Sequence, residues 1–526
     1  MTFTPGIKNT VSTVNSTSVN LGAGGIFIGT AEDVSNYSSV TINIFSDVDS
    51  AGTGAKFEFS PDGTNWNFIT SATCTGNLKF TTTIPVAAKY FRTVYTNGSS
   101  VQTSFRLQTI YQTTQEQDQT PLSIDLYGRL QTTNPFTILD ITQINNCASI
   151  STNPSYENLF IDQSVVNGGT TSYLTNESAT VMSVSTTSDK VTRQSHRYFV
   201  YQPGKTFTIY MTGVLNNGSN ANGVSSTIGY FDNQNGIFFQ YNGGSLSVVL
   251  RSSVTGAIIN TTVVQSSWNV DQLNGTGTSG ITINPAFTQL FFIDLQWLGV
   301  GGAALGIVNR QKKVVCHIFR TSNLISTPFI TSGNLPIRYE IESSNPVNAG
   351  SLKMICASVQ SEGGYQPSGK TFSSGNGTTT KSGAATIEIP LVAIRLGSSF
   401  IRTTVVPLSF SVLTTTSANS LVRLRYYKNP AANPLTNSSF VTVSTNSAVE
   451  IDVASTALNT TGSIIMRESY FSSDIDSTTS LDPSGSNTAY TLSSNIAGTL
   501  VDYIVLSVVS MSGTNLYTGS LVWNEF

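Results

Sequence analysis

Charged residues are scarce in this sequence. Asp, Glu, Lys and Arg make up 10% of the 526 residues, against roughly 25% in an average soluble protein. The 26 basic and 29 acidic residues leave a net charge of −3, which is not the basic field that neutralises nucleic-acid phosphates. Because 39% of the residues are hydrophobic, the composition is not that of a disordered chain either. We therefore expect a folded protein with an uncharged polar surface and no nucleic-acid partner.

Cysteine and histidine are also scarce. The four cysteines are Cys74, Cys147, Cys316 and Cys356. They are far apart and show no CxxC spacing, which favours free and mostly buried thiols over disulfides or a metal site. The only imidazoles, His196 and His317, are too few and too distant to complete a four-ligand zinc site. No metal or cofactor is expected.

Cys316 and His317 are adjacent, which raises the question of a thiol nucleophile with its base. The segment 314–319 alternates like a strand, and neighbouring strand residues point to opposite faces. A nucleophile and its base must instead face each other. The pattern predicts a buried thiol beside a half-exposed imidazole.

Long apolar runs and an export signal are missing as well. The start of the sequence lacks a basic stretch followed by an apolar one. No run approaches the 18 apolar residues that would indicate a membrane-spanning helix. We expect no membrane insertion, and a chain that folds in a reducing cytosol.

What the sequence does contain is the period of β-strands. Apolar and polar residues alternate over 40–44, 57–59, 207–211 and 422–426, as in strands with one buried face. Turn-forming pairs such as Asn-Gly and Asp-Gly separate these runs. The sequence predicts an all-β protein of tandem β-sandwich or jelly-roll domains.

Two breaks divide the pattern. Residues 112–121 are polar and end in a proline, as a connector does. Strand signals stop again over 361–383, in a second linker or a long loop. We predict an N-terminal β-sandwich over 1–115, a jelly roll with its preceding connector over 116–365, and a C-terminal β-sandwich over 384–526.

Several strings carry a family resemblance. The matches begin with 59–66 and 89–99, continue through 126–130 and 134–140, and close with 334–341 and 361–365. In this order they resemble a family of virion structural proteins of tailed phages and large DNA viruses, whose members contain a segment like "DAFGRLRVSNPFTLFD". The resemblance covers about residues 25 to 365 and implies a fibre, spike or capsid-associated protein. One departure is the small-residue segment 301–306, where the family has an arginine-rich strand.

The middle domain is similar in pattern to concanavalin-like jelly rolls, which bind or cleave glycans. In the glucanases of that fold, the catalytic strand carries two glutamates flanking an aspartate. The comparable strand here, 292–296, contains Asp294 as its only acid. Glycoside hydrolysis needs two carboxylates across the bond, so we expect no catalytic residues and no enzyme activity.

A candidate glycan-binding site lies in the first domain. Trp66 follows a turn that contains Asp62 and Asn65. An exposed aromatic ring can cover the apolar face of a sugar while Asp and Asn bind its hydroxyls. A tryptophan just after a turn is more often a core plug at the end of a hairpin, and that interpretation stays open. Trp268 and Trp297 lie among strand residues and are expected in the core.

Acidic loops are the remaining candidates for ligand binding. The pairs Asp47/Asp49 and Asp474/Asp476 could contribute oxygens to Ca²⁺. Neither pair continues as an EF-hand loop, which favours solvated turns.

Together these features predict a non-enzymatic virion protein, such as a surface fibre, a spike or a tail- or capsid-associated protein. We expect it to assemble in the host cytoplasm with other virion proteins and with copies of itself, in a trimer by preference, and to mediate attachment to the host surface. The alternative is a glycan-binding lectin module that recognises a host surface glycan. A polysaccharide depolymerase is the less favoured third hypothesis.

Overall fold

The computed structural model describes residues 8–113, 136–140 and 161–526, apart from 219, 221, 311, 345–348, 363–368, 401, 417–418, 472–476 and 481–489. Spatial proximity divides the chain into two units, Met1–Leu122 and Ser123–Phe526. Three features singled out in the sequence lie outside the described residues: Cys147, the segment 126–130 and the pair Asp474/Asp476.

The first unit consists of two antiparallel sheets. Its strands are β1 (Lys8–Val11), β2 (Ile26–Ile28), β3 (Glu32–Asp33), β4 (Ser39–Ser46), β5 (Ser50–Ser60), β6 (Phe68–Ala72), β7 (Lys79–Pro85), β8 (Tyr90–Asn97) and β9 (Phe105–Thr113). One sheet has the order β1-β9-β4-β7, and the other has the order β2-β8-β5-β6 with β3 paired to β8.

The core of the first unit follows the period-two pattern of its strands. Val40, Ile42 and Ile44 are buried on β4 and alternate with half-buried polar residues. They share one hydrophobic cluster with Phe57 and Phe91 of the other sheet. Burying a side chain of this size contributes about 1.5–3 kcal/mol to the stability of the fold. The two sheets pack face to face over this shared core as a β-sandwich.

The second unit begins with a larger sandwich, here called the middle sandwich. Its strands are β10 (Phe136–Asp140), β11 (Ile161–Val166), β12 (Thr170–Leu174), β13 (Ala179–Val184), β14 (Lys190–Ser195), β15 (Phe207–Val214), β16 (Val224–Phe231), β17 (Gly236–Asn242), β18 (Ser245–Ser252), β19 (Ile259–Val264), β20 (Gln289–Gln296), β21 (Gly302–Asn309), β22 (Lys312–Arg320), β23 (Ile337–Ser343) and β24 (Gly350–Ser361). A short 3-10 helix spans Gln265–Ser267.

Two antiparallel sheets enclose the core of the middle sandwich. One has the order β12-β13-β24-β15-β20-β21-β22, with β10 also paired to β24, and the other has the order β11-β14-β23-β16-β17-β18-β19. Phe207 and Ile209 of the first sheet lie in one cluster with Ile228 and Tyr339 of the second. Trp268 is buried in the same cluster, which confirms the core position expected for it.

The chain ends in a third sandwich, here called the C-terminal sandwich. Its strands are β25 (Lys370–Gly375), β26 (Lys381–Gly383), β27 (Glu388–Leu396), β28 (Val405–Thr414), β29 (Ser420–Tyr427), β30 (Leu435–Thr436), β31 (Val441–Thr442), β32 (Val449–Asp452), β33 (Ala457–Leu458), β34 (Ile464–Phe471), β35 (Ser477–Ser480), β36 (Tyr503–Ser510) and β37 (Asn515–Glu525). The main sheets have the orders β25-β37-β28-β35, with β26 on β37, and β31-β32-β27-β36-β29-β34; β30 and β33 form a separate pair.

The core of the C-terminal sandwich is also built by alternation. Val422, Leu424 and Tyr426 are buried along β29. They cluster with Trp523 of β37 from the facing sheet. The indole Nε1 of Trp523 donates a 2.8 Å hydrogen bond to Glu525, so this large side chain is buried without losing its polar contact.

The all-β class with tandem β-sandwich domains is therefore confirmed. The bounds 1–115, 116–365 and 384–526 stay a prediction, since the segments around 116–135 and 363–368 lie outside the described residues. In the part of the chain that is described, no helix is long and apolar enough to cross a membrane.

Candidate functional site

The turn that carries the candidate glycan-binding residues is closed by its own side chains. Asp62 Oδ1 accepts hydrogen bonds from the backbone N–H groups of Thr64 (2.9 Å) and Asn65 (2.7 Å). Asp62 Oδ2 accepts from Asn65 Nδ2 at 2.6 Å. These bonds, led by the one from the Asn65 backbone, hold the pKa of the Asp62 carboxyl well below its usual range. The groups expected to bind sugar hydroxyls thus form an aspartate-capped turn.

Trp66 lies beside this turn and under an arginine. The Arg92 guanidinium is 4.1 Å from the centre of the Trp66 ring, and Arg92 Nε donates a 2.7 Å hydrogen bond to Glu58. The indole is half-buried and lies on the outer side of β8, since Phe91 and Thr93 point into the core. One ring face is covered by a cation, an arrangement that stabilises an exposed hairpin end.

The acidic loop near β4 is likewise engaged within the protein. Asp47 accepts hydrogen bonds from the backbone and hydroxyl of Thr103, and Asp49 accepts from the backbone of Gly76 at 2.7 Å. Among the described residues, no group of three or more His, Cys, Asp or Glu side chains could hold a metal ion.

The Cys316-His317 pair occupies a β-bulge. Leu305 pairs with His317, and Gly306 pairs with Val315, so Cys316 is the extra residue of β22. The bulge interrupts the alternation and leaves both Cys316 and His317 buried. The expectation of a half-exposed His317 was therefore wrong, whereas the buried thiol is confirmed.

Neither group of this pair is activated. Burial raises the pKa of the Cys316 thiol, whose Sγ donates to the carbonyl of Leu305. Burial also lowers the pKa of His317, and its Nδ1 accepts a hydrogen bond from the backbone of Asn269. A thiol of raised pKa is a poor nucleophile, so the pair is a structural feature of the core.

Asp294 lies on the outer face of its sheet and is paired with a cation. Lys313 Nζ is 3.0 and 3.1 Å from its two carboxylate oxygens, and the Thr208 hydroxyl donates to it at 2.6 Å. These contacts engage Asp294 in an ion pair on the outer face of the sheet.

A buried group of hydrogen-bonded ionisable residues is centred on His196. This side chain follows β14 and is 2% exposed. Its Nδ1 is 2.7 Å from Asp162 Oδ2 of β11, and its Nε2 is 2.6 Å from Asp502 Oδ2. Asp162 belongs to the middle sandwich and Asp502 precedes β36 of the C-terminal sandwich, so one imidazole connects two cores.

Residues of the C-terminal sandwich complete this centre. Lys428 Nζ lies 2.8 Å from Asp162 Oδ1 and donates to the carbonyl of Ile161. The Tyr426 hydroxyl donates to Asp502 at 2.8 Å. We call the group formed by Asp162, His196, Tyr426, Lys428 and Asp502 the His196 centre.

The opposite charges of the His196 centre stabilise one another's ionised forms. Burial alone would lower the pKa of His196, but the Asp502 and Asp162 carboxylates outweigh burial and raise it to about 9. Burial would likewise raise the pKa of Asp162, but His196 and Lys428 hold it below its usual value. Burial and the neighbouring Asp502 raise the pKa of Tyr426. At neutral pH the centre therefore holds an imidazolium between two carboxylates.

Further contacts run between the same two sandwiches. Arg402 Nη2 lies 3.0 Å from Asp232 Oδ2, a carboxylate that is 2% exposed. The Thr404 hydroxyl donates to the carbonyl of Tyr198 at 3.0 Å, and the Ser493 hydroxyl donates to the carbonyl of His196 at 2.7 Å. The interface is thus polar and hydrogen-bonded around the His196 centre.

Sequence reasoning missed this centre. His196 is 34 residues from Asp162 and 306 residues from Asp502, and none of the three belongs to a spaced motif. The one usable signal was an isolated histidine among strand residues, which on its own indicates only a buried side chain.

A separate depression of about 130 Å³ opens on the C-terminal sandwich between the turn after β27 and the hairpin of β31 and β32. Phe400 lies at its edge and is 45% exposed. Glu450 contributes a carboxylate that is fixed by Arg395 through contacts of 2.9 Å and 2.8 Å. The hydroxyl-bearing residues of the lining are Ser398, Ser399, Thr442 and Ser447.

Comparison with known proteins gives one family match. Residues 5–112 match the family described as "Uncharacterised protein YqxG N-terminal domain". This segment covers the first sandwich and about a fifth of the chain. No curated protein matches the chain.

Solved structures with some likeness include three proteins. The PBSX exported protein XepA is 14% identical, with 67% of this chain and 86% of that chain covered and a TM-score of 0.19. A legume lectin-like domain from Entamoeba histolytica is 10% identical, with coverages of 41% and 94% and a TM-score of 0.25. The triple jelly roll of an archaeal virus turret is 9% identical, with coverages of 99% and 89% and a TM-score of 0.16. Likenesses this weak do not bear on function.

Proposed function

We propose that this chain is a non-enzymatic structural protein of a virus particle. It serves as a surface fibre, a spike or a tail- or capsid-associated protein, and it mediates attachment to the host surface. It assembles in the host cytoplasm with other virion proteins and as a homo-oligomer, with a trimer as the preferred state.

The observation that carries this proposal is the use of buried charge. The acidic and basic side chains of the His196 centre bind one another across the interface of two β-sandwiches. The side chains of His196 and Asp502 are 2% and 0% exposed. Catalytic groups must reach a substrate, whereas these are sealed inside an interface. A low-charge β-chain of this kind suits a durable particle component, and the resemblance of its sequence to virion structural proteins points to the same role.

The attachment part of the proposal is tested by competition. Purified full-length chain is added to host cells before the virus particles, and particle adsorption is counted. We expect adsorption to fall in proportion to the bound chain. If particle adsorption is unchanged at a saturating concentration of the chain, a role in attachment is contradicted. The chain would then have a purely architectural role in the particle.

Glycan binding is the second candidate function, and the Phe400 depression favours it. An exposed aromatic ring, a fixed carboxylate and the hydroxyls of Ser398, Ser399 and Thr442 surround a space of about 130 Å³. Aromatic rings cover the apolar face of a sugar, and oriented carboxylates accept from its hydroxyls. At Trp66, by contrast, Asp62 and Asn65 are already engaged in the turn.

A glycan array with matched variants distinguishes the two sites. If the depression binds sugar, Phe400→Ala loses the signal at least tenfold while Trp66→Ala keeps it. Loss with Trp66→Ala alone would place binding at the first domain. No binding by the unmodified chain would contradict this second function.

The depolymerase hypothesis has a direct test as well. We expect no release of reducing ends from host polysaccharide. Turnover that disappears in Asp294→Asn would show that this surface acid is catalytic and that the chain is an enzyme.

A further inference from the structure

The His196 centre balances its charges only when the histidine is protonated. Asp162 and Asp502 supply two negative charges, and Lys428 supplies one positive charge. The imidazolium supplies the second positive charge from a position 2.6–2.7 Å from both carboxylates. A neutral imidazole would leave one carboxylate uncompensated in an interface where Asp502 is 0% exposed.

The groups that face His196 come from each element packed around it. Asp162 comes from β11, Tyr426 from β29, Lys428 from the residues just after β29, and Asp502 from the residues just before β36. Tyr426 Oη is 3.1 Å from His196 Nε2, and its raised pKa keeps it neutral.

Two neutral backbone groups near the centre are hydrogen-bonded to Asp502. The backbone of Ser493 donates to Asp502 Oδ2 at 2.9 Å, and the backbone of Asn429 donates to Asp502 Oδ1 at 2.9 Å. The ring of Tyr490 lies 5.5 Å from that of Tyr426. The two backbone contacts hold the Asp502 carboxylate in place but add no charge, so the histidine proton is the variable part of the centre.

We propose that His196 is a proton-operated latch: its protonated imidazole strengthens the attachment of the middle sandwich to the C-terminal sandwich, and the loss of this one proton to solvent weakens that attachment.

The pH range in which the latch holds follows from the directions in which the pKa values of His196 and Asp162 are shifted. The pKa of His196 is about 9 in the folded chain, above its usual 6.5, so the latch is at full strength below 6.5 and is lost as pH rises through 9. The pKa of Asp162 is lowered from 3.8, so its contribution is present above that value and is lost as pH falls below it. Coupling is therefore strongest between about pH 4 and pH 6.5 and weakens as the pH rises through 9.

Scanning calorimetry of the full chain tests the latch. At pH 6 we expect the two sandwiches of the second unit to unfold in one shared transition. At pH 9.5 we expect that transition to split in two, because each sandwich keeps its own core. The first unit, Met1–Leu122, contains no histidine and serves as the internal reference. A single shared transition at pH 9.5 would overturn the proposal.

Two variants separate the latch from a general loss of stability. His196→Gln keeps a polar side chain but cannot carry the charge, so its transitions should be split already at pH 6 and should not change with pH. His317→Gln removes the other histidine, which contacts Asn269 and Phe319 within the middle sandwich, and should keep the splitting at high pH. Equal behaviour of the two variants would contradict the latch.

A measurement on the unmodified chain covers the case in which His196→Gln fails to fold. The chain has two histidines, so their ring resonances can be assigned with His317→Gln. We expect one histidine to titrate near pH 9 and His317 to titrate below 6.5, since burial lowers its pKa. Titration of both below 7 would overturn the proposal.

Discussion

At the residue scale, the behaviour of this chain is governed by a few buried charges. A sequence with 10% charged residues nevertheless buries Asp162, His196 and Asp502 together. Charges removed from water are costly unless they are paired and hydrogen-bonded. Asp162, His196 and Asp502 each have an oppositely charged partner and a hydrogen-bond partner. Removing any one of these partners should therefore strongly destabilise the folded chain.

Lys428 gives the sharpest stability prediction at this scale. Lys428→Met leaves Asp162 buried with one cation fewer, and we expect a loss of about 2–3 kcal/mol, below the roughly 3–5 kcal/mol of a wholly uncompensated charge. Lys353→Met is the matched control, since its pair with Glu177 is 18% and 52% exposed and should cost less than about 1 kcal/mol. Denaturant unfolding of the full chain measures both. Equal losses would contradict the assigned role of the His196 centre.

Single residues were predicted from the sequence with mixed success. The buried positions of Trp268 and Cys316 followed from their strand context and are confirmed. The exposure of His317 was wrong because a bulge in β22 breaks the alternation, and a bulge leaves no mark in the hydrophobic pattern. The partners of His196 were missed because they depend on how two sandwiches meet, which local sequence does not encode.

At the scale of elements, the alternation of residues was sufficient to predict strands. The patterns at 207–211 and 422–426 correspond to the buried faces of β15 and β29. Pairing order was not predictable, because strands distant in sequence lie side by side, as β15 and β24 do.

The small residues of β21 lie close to the neighbouring strand β22. A Cβ atom on Gly306 would lie 2.0 Å from the Val314 carbonyl oxygen and 2.8 Å from the Phe292 ring. The bulge opposite Gly306 brings β22 this close. A long side chain at this point of β21 has no room.

Gly306→Ala tests this element. We expect the clash to cost about 1–3 kcal/mol, as overpacking does. Gly397→Ala is the control, because its nearest atoms would lie at ordinary contact distances of 3.4 Å or more, and it should change stability by less than about 0.5 kcal/mol. Thermal unfolding compares the two. A Gly306→Ala variant of unchanged stability would contradict the close approach of β21 and β22 at this residue.

At the scale of the whole molecule, the described residues form three large hydrophobic cores beside two small clusters. One large core lies in the first unit and two lie in the second. The all-β class was accessible from the sequence because period two dominates it. The contact between the last two sandwiches could not be predicted from the sequence, since it depends on a few polar contacts between distant residues.

The oligomeric state is the prediction that belongs to this scale. We expect light scattering of the purified chain to give three times the monomer mass of 56.1 kDa, because closed symmetry protects exposed strand edges from aggregation. A monomer would contradict the trimer and would favour a capsid-decorating or connector protein whose symmetry is imposed by its neighbours.

The central claim is that the chain is a structural part of a virus particle, and its most direct test is quantification of the chain in purified particles. Particles are separated on a density gradient, and the chain is quantified by mass spectrometry against the major capsid protein in every fraction. We predict a fixed ratio of chain to capsid protein across the particle peak. A chain that stays at the top of the gradient, or whose ratio varies freely between fractions, would contradict the account.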